Sequence, residues 1–563
     1  MAGTTVLPGQ EDPFYSLDLI QSGIDLHQGT VGIAIGDLNN DLREDLYFSR
    51  RGGPNVLYVN NGQLSFYNVP LPDIETASPQ SRTGLWADLD NDGFQDIIGS
   101  TMDDYSYILW NNEGRSFTKE TLNIGAARTS NTFSINLFDM DGNGYLDILT
   151  SNFLQENEFW INDGERVFFN QAFRYQMDDP SLSMGNICYD IDSDGDQDVI
   201  LIHDGFQEHH IMINQGSDQP FALADFQGLS NINGQGMGAD IADINNDGLM
   251  DIYITNLYEN NLLLNLGNNE YEDIAATAGV DDQGMGWGVS FLDFNNDGWV
   301  DIYVSNDSHF SPFPNVLYEN QGDLTFVKVE QSTVNSMNGG YGNAAVDLNM
   351  DGSLDIIQAN LGTNDVPEIF INKGNDSNWF GIKLKGTLSN SDAIGSKVLL
   401  LDGSGGIHFD EVTGGNGFAA QSSPIVHFGL GQEQTIQRLE ITWPSGHKDI
   451  FEELRSNKYY LLEEGSGVLE LFDQTTSVDN EFVQLNFEIF PNPVEDFFFL
   501  KSDTPFDNQE ITGIMDMQGR HLYLPFNKKS NQNRIDVSFL EKGLYFLGIR
   551  NGKEIQYFKF IKI

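Results

Sequence analysis

Apolar and polar positions alternate with a period of two along most of this chain, in short runs broken by Gly, Asn and Asp. Such runs predict β-strands, and no stretch shows the 3.6-residue period of an amphipathic helix. Gly286-Trp-Gly-Val-Ser-Phe-Leu292 reads as one strand, and Asp301-Ile-Tyr-Val-Ser305 follows as a second. Asn315-Val-Leu-Tyr-Glu-Asn320, a turn at Gly322 and Leu324-Thr-Phe-Val-Lys-Val329 complete a group of four. The group recurs along the chain. Four strands in a unit of about 50 residues is the pattern of a propeller blade. Small residues in the leading strand suit a place beside a crowded central axis.

An acidic nonapeptide between the first and second strands marks each unit. Its first Asp falls at 37, 88, 139, 190, 243, 293 and 347, giving spacings of 51, 51, 51, 53, 50 and 54 residues. Seven units predict a seven-bladed β-propeller over residues 12–375. The seventh unit runs to Glu368-Ile-Phe-Ile-Asn372 and lacks an outer strand, whereas Phe14-Tyr-Ser-Leu-Asp-Leu-Ile20 reads as an orphan one. The N-terminal strand is therefore expected to complete the last blade and close the ring, leaving no open sheet edge.

Positions 1, 3, 5 and 9 of every nonapeptide carry Asp or Asn. They are Asp37, Asn39, Asp41 and Asp45 in the first loop, and Asp88, Asp90, Asp92 and Asp96 in the second. The third has Asp139, Asp141, Asn143 and Asp147; the fourth has Asp190, Asp192, Asp194 and Asp198. The fifth has Asp243, Asn245, Asp247 and Asp251; the sixth has Asp293, Asn295, Asp297 and Asp301. The seventh has Asp347, Asn349, Asp351 and Asp355. Alternate side chains of a tight turn converge, and position 7 can add its carbonyl. Hard oxygen ligands of this number suit Ca²⁺ better than Mg²⁺. Gly93, Gly144, Gly195, Gly248, Gly298 and Gly352 at position 6 permit a sharp turn, but Leu42 stands there in the first loop. A left-handed backbone at Leu42 costs about 1–2 kcal/mol. The flanks are strands and no loop has Glu at position 12, so these are not EF-hands. Up to seven structural Ca²⁺ ions are expected.

Composition narrows the partners. A net charge of −56 opposes encounter with nucleic-acid backbones and anionic membranes. With 39% hydrophobic and 12% aromatic residues, the chain is not a disordered acidic polymer. Cys188 is alone, so no intrachain disulfide forms, and no run of eighteen apolar residues predicts a transmembrane helix. His427, between apolar neighbours, reads as a core histidine. Gly414–Gly417 reads as a tight turn rather than an anion cradle. The pair His209-His210 offers transition-metal ligands or, more simply, part of a solvated turn.

On these motifs residues 12–375 resemble the FG-GAP/VCBS repeat propellers. The unit Gly236-Met-Gly-Ala-Asp-Ile-Ala-Asp-Ile-Asn-Asn-Asp-Gly-Leu-Met-Asp-Ile-Tyr253 is similar to the cartilage acidic protein family. In residues 376–472 the period is lost. Asp392-Ala-Ile-Gly-Ser-Lys-Val398, Glu411-Val-Thr-Gly-Gly-Asn-Gly-Phe418, Val426-His-Phe-Gly-Leu-Gly431 and Ile441-Thr-Trp-Pro-Ser-Gly446 resemble the ASPIC/UnbV domain. Residues 473–484 read as a polar linker. Residues 485–563 carry 10 acidic and 10 basic residues and are electrically neutral. Phe490-Pro-Asn-Pro-Val494, a hairpin at Asp516-Met-Gln-Gly-Arg520, Lys542-Gly-Leu-Tyr-Phe-Leu-Gly-Ile549 and Lys559-Phe-Ile-Lys-Ile563 resemble the C-terminal sorting domain of Bacteroidetes type IX secretion. That resemblance implies the type IX machinery as a partner, export across the outer membrane, and residence outside or on its surface. The expected fold is all-β: the closed propeller followed by two small β domains.

No nucleophile elbow, zinc motif or phosphate loop is present. The leading functional reading is an extracellular binding or adhesion module for a glycan, protein or small molecule. The alternative is an enzyme acting in the central mouth of the propeller. Trp86, Met237, Met285, Trp287 and Tyr341 would line a pocket there, unless they simply pack around the axis. A third reading assigns recognition to the ASPIC/UnbV domain.

Overall fold

The structure, a computed structural model, describes residues 12–471 apart from short stretches at 27–28, 70–79, 102–105, 123–130, 231 and 363–364. Beyond them it describes most of 487–563. The chain divides into two compact units, Met1–Asp473 and Gln474–Ile563.

Within the first unit, seven sheets of four antiparallel strands follow the acidic repeats among the described residues, and the first is extended by Ala420–Gln421 as a fifth, parallel strand. Thr30–Gly36, Asp45–Arg50, Val56–Asn60 and Phe66–Asn68 form the first sheet. In every repeat the second strand starts at position 9 of the acidic loop, as Asp96–Thr101 and Asp251–Asn256 do. The leading strands are buried almost end to end, because each packs against the leading strand of the next repeat. These contacts run in chain order, and the leading strand Gly340–Val346 of the seventh repeat touches Thr30–Gly36 of the first. Close approach explains the small residues: a Cβ added at Gly36 would lie 2.3 Å from the Trp86 ring.

The apolar faces meet between neighbouring sheets. Ile187, Ile200 and Ile211 of the fourth repeat pack on Ile241, Ile252 and Leu263 of the fifth. Ile33, Leu46 and Phe48 of the first pack on Ala344, Val346 and Ile357 of the seventh. Cys188 is buried in a similar layer between the third and fourth sheets. Among the described residues the all-strand expectation misses two single helical turns, Ala172–Tyr175 and Ala275–Ala278, which end at left-handed Gln176 and Gly279. A four-residue turn leaves no period to detect.

The seventh sheet takes its outer strand from the N-terminus. Phe14–Ser16 pairs antiparallel with Glu368–Asn372, in the register Phe14↔Asn372 and Ser16↔Phe370. Phe14 is buried against Phe294 at 5.9 Å. The Asp12 carboxylate anchors the entry by accepting hydrogen bonds from Ser332 Oγ at 2.7 Å and the Thr333 N–H at 2.7 Å.

Residues 378–471 form two further four-stranded sheets. Phe380, Val398 and Leu439 share one apolar core with Leu85, Ile135 and Leu137 of the second and third repeats. Among its described residues the second unit holds a three-stranded and a four-stranded sheet, with Gly543–Asn551 and Glu554–Lys562 as the longest pair. The expected linker at 473–484 and the hairpin turn at 517–520 lie outside the described residues.

Removing residues 1–20 takes away no acidic-loop residue but uncovers the edge of Glu368–Asn372 and the Phe294 surface. We expect the shortened chain to melt at a lower temperature and to self-associate, even in saturating Ca²⁺. Thermal melts and size-exclusion chromatography check this; a monomer with the parental melting temperature would refute it.

Candidate metal centres and the loop between the leading strands

Backbone N–H groups shape each acidic loop. In the second loop, Asp88 accepts the Asp92 N–H at 2.9 Å through Oδ1 and the Gly93 N–H at 2.8 Å through Oδ2. Asp90 accepts the Asp92 N–H at 3.1 Å, and Asp92 accepts the Phe94 N–H at 3.0 Å. Asp96 takes the Leu89 N–H at 3.2 Å and the Asn111 N–H at 2.7 Å. The same pattern turns the carboxylates inward in every repeat. Single carboxylate oxygens of Asp88, Asp90 and Asp96 lie within 4.8 Å of one another, as do those of Asp139, Asp141 and Asp147 and those of Asp190, Asp192 and Asp194. In the fifth, sixth and seventh loops the Asn amide at position 3 donates to the Asp at position 5, at 2.9, 3.0 and 2.9 Å.

Position 6 is left-handed throughout, with φ from 86° at Gly248 to 104° at Gly195. Leu42 adopts the same region at φ 66°, so the first loop keeps its shape at the cost of strain.

Without a cation these anions are poorly accommodated. Burial pushes Asp96 and Asp198 up to about 8, against the relief given by the Asn111 and Asn214 N–H groups. Burial likewise lifts Asp88 to about 7, and repulsion from Asp392 adds to it. Asp45, Asp147, Asp251, Asp301 and Asp355 at position 9 are raised well above the usual carboxylate range, first by burial. Oxygen-rich, turn-bound and short of positive charge, the loops fit a hard cation.

Basic side chains reach three loops: Arg43 pairs with Asp41, Arg166 with Asp90, and Lys397 with Asp190. Lys383 Nζ lies 3.3 Å from Asp37 Oδ2. Both lysines come from the 378–471 region, which also sends Tyr459 Oη to Asp347 Oδ2 at 2.5 Å and Asp392 Oδ2 to the Asp88 N–H at 2.6 Å. That region therefore lies on the acidic-loop ends of the sheets. Between them, Asp240, Phe291, His408, Asp410 and Glu411 line an acidic pocket. His427 is held there as a neutral ring, pushed down to about 4 by burial, with Nε2 2.8 Å from Asn296 Oδ1.

One recurrent residue escapes the motif reading. The third strand ends in Asn60, Asn111, Asn162, Asn265, Asn320 or Asn372, and in the fourth repeat Asn214 directly follows the strand His210–Ile213. Each backbone N–H binds the Asp at position 9, at 2.7–2.8 Å. The side-chain amide crosses to a carbonyl in the preceding repeat: Asn162 to Leu89 at 2.7 Å, Asn320 to Ile244 at 2.9 Å, and Asn60 to Leu348 of the seventh repeat at 2.9 Å. Asn265 departs from the pattern and reaches the Tyr271 hydroxyl at 3.3 Å. The available signal is an Asn followed closely by Gly, as in Asn162-Asp-Gly164, whose Gly N–H the Asn oxygen accepts at 3.0 Å.

Residues 414–423 thread between the leading strands. Gly417 exchanges hydrogen bonds with Ala239, and Ala420-Gln421 pair in parallel with Ile33-Ala34. The Gln421 side chain spans the Trp86 backbone, accepting its N–H at 2.7 Å and donating to its carbonyl at 3.0 Å. Asn136 donates to the Gly415 carbonyl at 3.1 Å, and the Ser423 N–H to Ala345 at 3.0 Å. Phe418, fully buried, packs on Trp287 at 4.7 Å and on Tyr341 at 6.4 Å. Of the five residues proposed to line a mouth, Met237, Met285, Trp287 and Tyr341 gather around Phe418. The Trp86 side chain lies elsewhere, between the first and second sheets against Phe117.

The sequence matches the FG-GAP-like repeat family at residues 37–99, 88–150, 190–254, 245–304 and 293–357. It matches the ASPIC and UnbV family at 386–468 and the secretion system C-terminal sorting domain at 488–563. It is 24% identical to cartilage acidic protein 1 of Xenopus tropicalis over 463 residues, covering 74% of this chain and 70% of that protein. Against cartilage acidic protein 1 of Homo sapiens it is 24% identical over 465 residues, covering 74% and 69%. Among solved structures, an Agrocybe aegerita lectin that recognises non-reducing terminal N-acetylglucosamine aligns with a TM-score of 0.40 at 19% identity, over 56% of this chain and 82% of its own. YCF48 from Cyanidioschyzon merolae aligns with a TM-score of 0.40 at 8% identity, over 64% and 98%.

Asn162→Ala removes the link to Leu89 and two further hydrogen bonds in a buried setting. We expect a loss of about 2–3 kcal/mol in chemical unfolding. The exposed Asn61→Ala serves as control, and equal midpoints for the two variants would contradict the stapling role.

Proposed function

The chain belongs to the FG-GAP-like repeat proteins, carries an ASPIC and UnbV domain, and bears a type IX secretion sorting domain that directs it to the cell surface or beyond. On that premise we propose a calcium-loaded extracellular binding module. Its repeats form a seven-bladed propeller over residues 12–375, closed by the N-terminal strand; the ASPIC/UnbV region at 376–472, a linker at 473–484 and the sorting domain at 485–563 follow. The Asn60–Leu348 hydrogen bond, which joins the first repeat to the last, supports closure. Calcium occupies the acidic loops, with Asp or Asn at positions 1, 3, 5 and 9 as ligands. The observation that carries this reading is the buried, inward-turned set of carboxylates with too little positive charge around it.

Binding is favoured over catalysis in the mouth by Phe418. Its ring, supplied by the chain itself, occupies the space among Met237, Trp287 and Tyr341 where a small substrate would sit. Recognition then falls to the loops at the rim and to the 378–471 region rather than to the axis. No helix among the described residues is long and apolar enough to cross a membrane.

Chelation tests the calcium role. EGTA should lower the melting temperature by about 10 °C or more, since each emptied site forfeits about 3–4 kcal/mol at saturating ion. Ca²⁺ should restore it and Mg²⁺ should not; an unchanged melt after verified metal removal would refute it. Glycan and matrix-protein arrays probed with the full chain test the binding role. Retention of a ligand in Ca²⁺ and its release in EGTA are expected, whereas turnover of a soluble substrate without retention would favour the enzyme reading.

A further inference from the structure

The fourth repeat departs from its neighbours at the ends of the strands farthest from the acidic loop. The second strand, Asp198–His203, finishes on His203 where the third, fifth, sixth and seventh repeats have Asn152, Asn256, Asn306 and Asn360. In the sixth repeat, both protons of the Asn306 amide are used. One is donated to the Pro314 carbonyl at 2.9 Å, the other to Asp282 Oδ2 at 2.6 Å. Asp179 is the counterpart of Asp282, four residues before the leading strand in each case.

His203 cannot repeat that arrangement as a neutral ring. Its Nδ1 lies 2.6 Å from the Glu208 carbonyl, which accepts only from an N–H, so the single imidazole proton sits there. Nε2 is then a bare lone pair. It is fully buried, has no hydrogen-bond partner, and stands 3.4 Å from Asp179 Oδ2. Two acceptors then face one another in a buried pocket, an arrangement relieved by a cation between them or by a second ring proton. The opposite side is closed by His210, whose Nδ1 lies 2.6 Å from the same Oδ2 and whose ring meets that of His203 at 4.7 Å. The other Asp179 oxygen is fixed by the Ser181 N–H at 2.8 Å.

We propose that Asp179, His203 and His210 form a binding site for one divalent transition-metal ion of the zinc or iron(II) class, at the end of the fourth sheet remote from the acidic loops. The ligand atoms lie within 4.8 Å of one another. Two imidazoles and one carboxylate select a borderline cation over Ca²⁺ and leave coordination positions open on the partly exposed His210 side. The Nδ1–H of His203, held by the Glu208 carbonyl, orients the ring as the outer shell of a metal histidine does. His209 takes no part. Its Nδ1 accepts the His203 N–H at 3.1 Å, as the Asn260 oxygen accepts the Asn256 N–H at 2.7 Å, and burial holds it neutral, down at about 3. The pair reads from the sequence as a solvated turn or as transition-metal ligands, and it divides: His209 is buried and serves the sheet, while His210 faces the site.

Cobalt(II) is the probe, added to the untagged full chain in saturating Ca²⁺ so that the acidic loops are filled. The site predicts one Co²⁺ per chain, a visible ligand-field band, and displacement of that band by Zn²⁺. His210→Ala, at a partly exposed position, and Asp179→Asn should each weaken Co²⁺ by at least about tenfold. His309→Ala, at the separate His309–Asp365 pair, should leave binding unchanged. Near-UV circular dichroism confirms that each variant is folded. A native chain without the band, a band that survives His210→Ala, or an NMR spectrum showing His203 protonated on both nitrogens in excess Zn²⁺ would overturn the proposal.

Discussion

Carboxylates brought together in a buried turn repel one another, and this chain holds them there with its own backbone. Each Asp at position 9 receives one N–H from inside its loop and another from the Asn that ends the third strand. Those bonds orient the anions without neutralising them, and burial still raises Asp96 and Asp198 to about 8. On the calcium reading proposed for these loops, a bound cation would convert that repulsion into a cross-link between the first two strands of every sheet. The Asn amide carries that restraint onward to the preceding repeat. Local charge balance and the packing of successive repeats are therefore one problem.

The 378–471 region enters the same balance. Its Lys383 and Lys397 reach the first and fourth loops, and Tyr459 reaches the seventh. Residues 414–423 then run between the leading strands, pairing with Ile33-Ala34 and Ala239. One apolar core spans Leu85, Ile135 and Phe380, so the second and third repeats share an interior with the 378–471 region. Phe418 from this segment is packed among Val31, Phe133, Met184, Met237 and Trp287 of the leading strands.

Much of this was legible in the residues. The period of the acidic loops located the sheets, and the unpaired Glu368–Asn372 pointed to the strand at Phe14. Position 6 was readable because a left-handed turn selects Gly, and Leu42 stood out as its exception. What escaped depends on distant partners. Gly414–Gly417 looks like any turn, and nothing local announces that Phe418 will sit against Trp287. Asn162 beside Gly164 has the composition of a loop, which hides its role as a staple. Trp86 was placed with the axial residues by its position in a leading strand, but side chains alternate along a strand and this one faces Phe117. His210 was visible as a ligand type, whereas Asp179 and His203 join it only through the strand pairing of the fourth sheet.

Calcium in every acidic loop is the proposal on which the rest depends. Its most direct test is the number of Ca²⁺ ions retained per folded chain after exhaustive gel filtration in ion-free buffer, measured by atomic emission against protein concentration. Seven loops predict a value close to seven, with the strained first loop the earliest to empty. A folded chain that retains one ion or none, with native circular dichroism, would contradict the account.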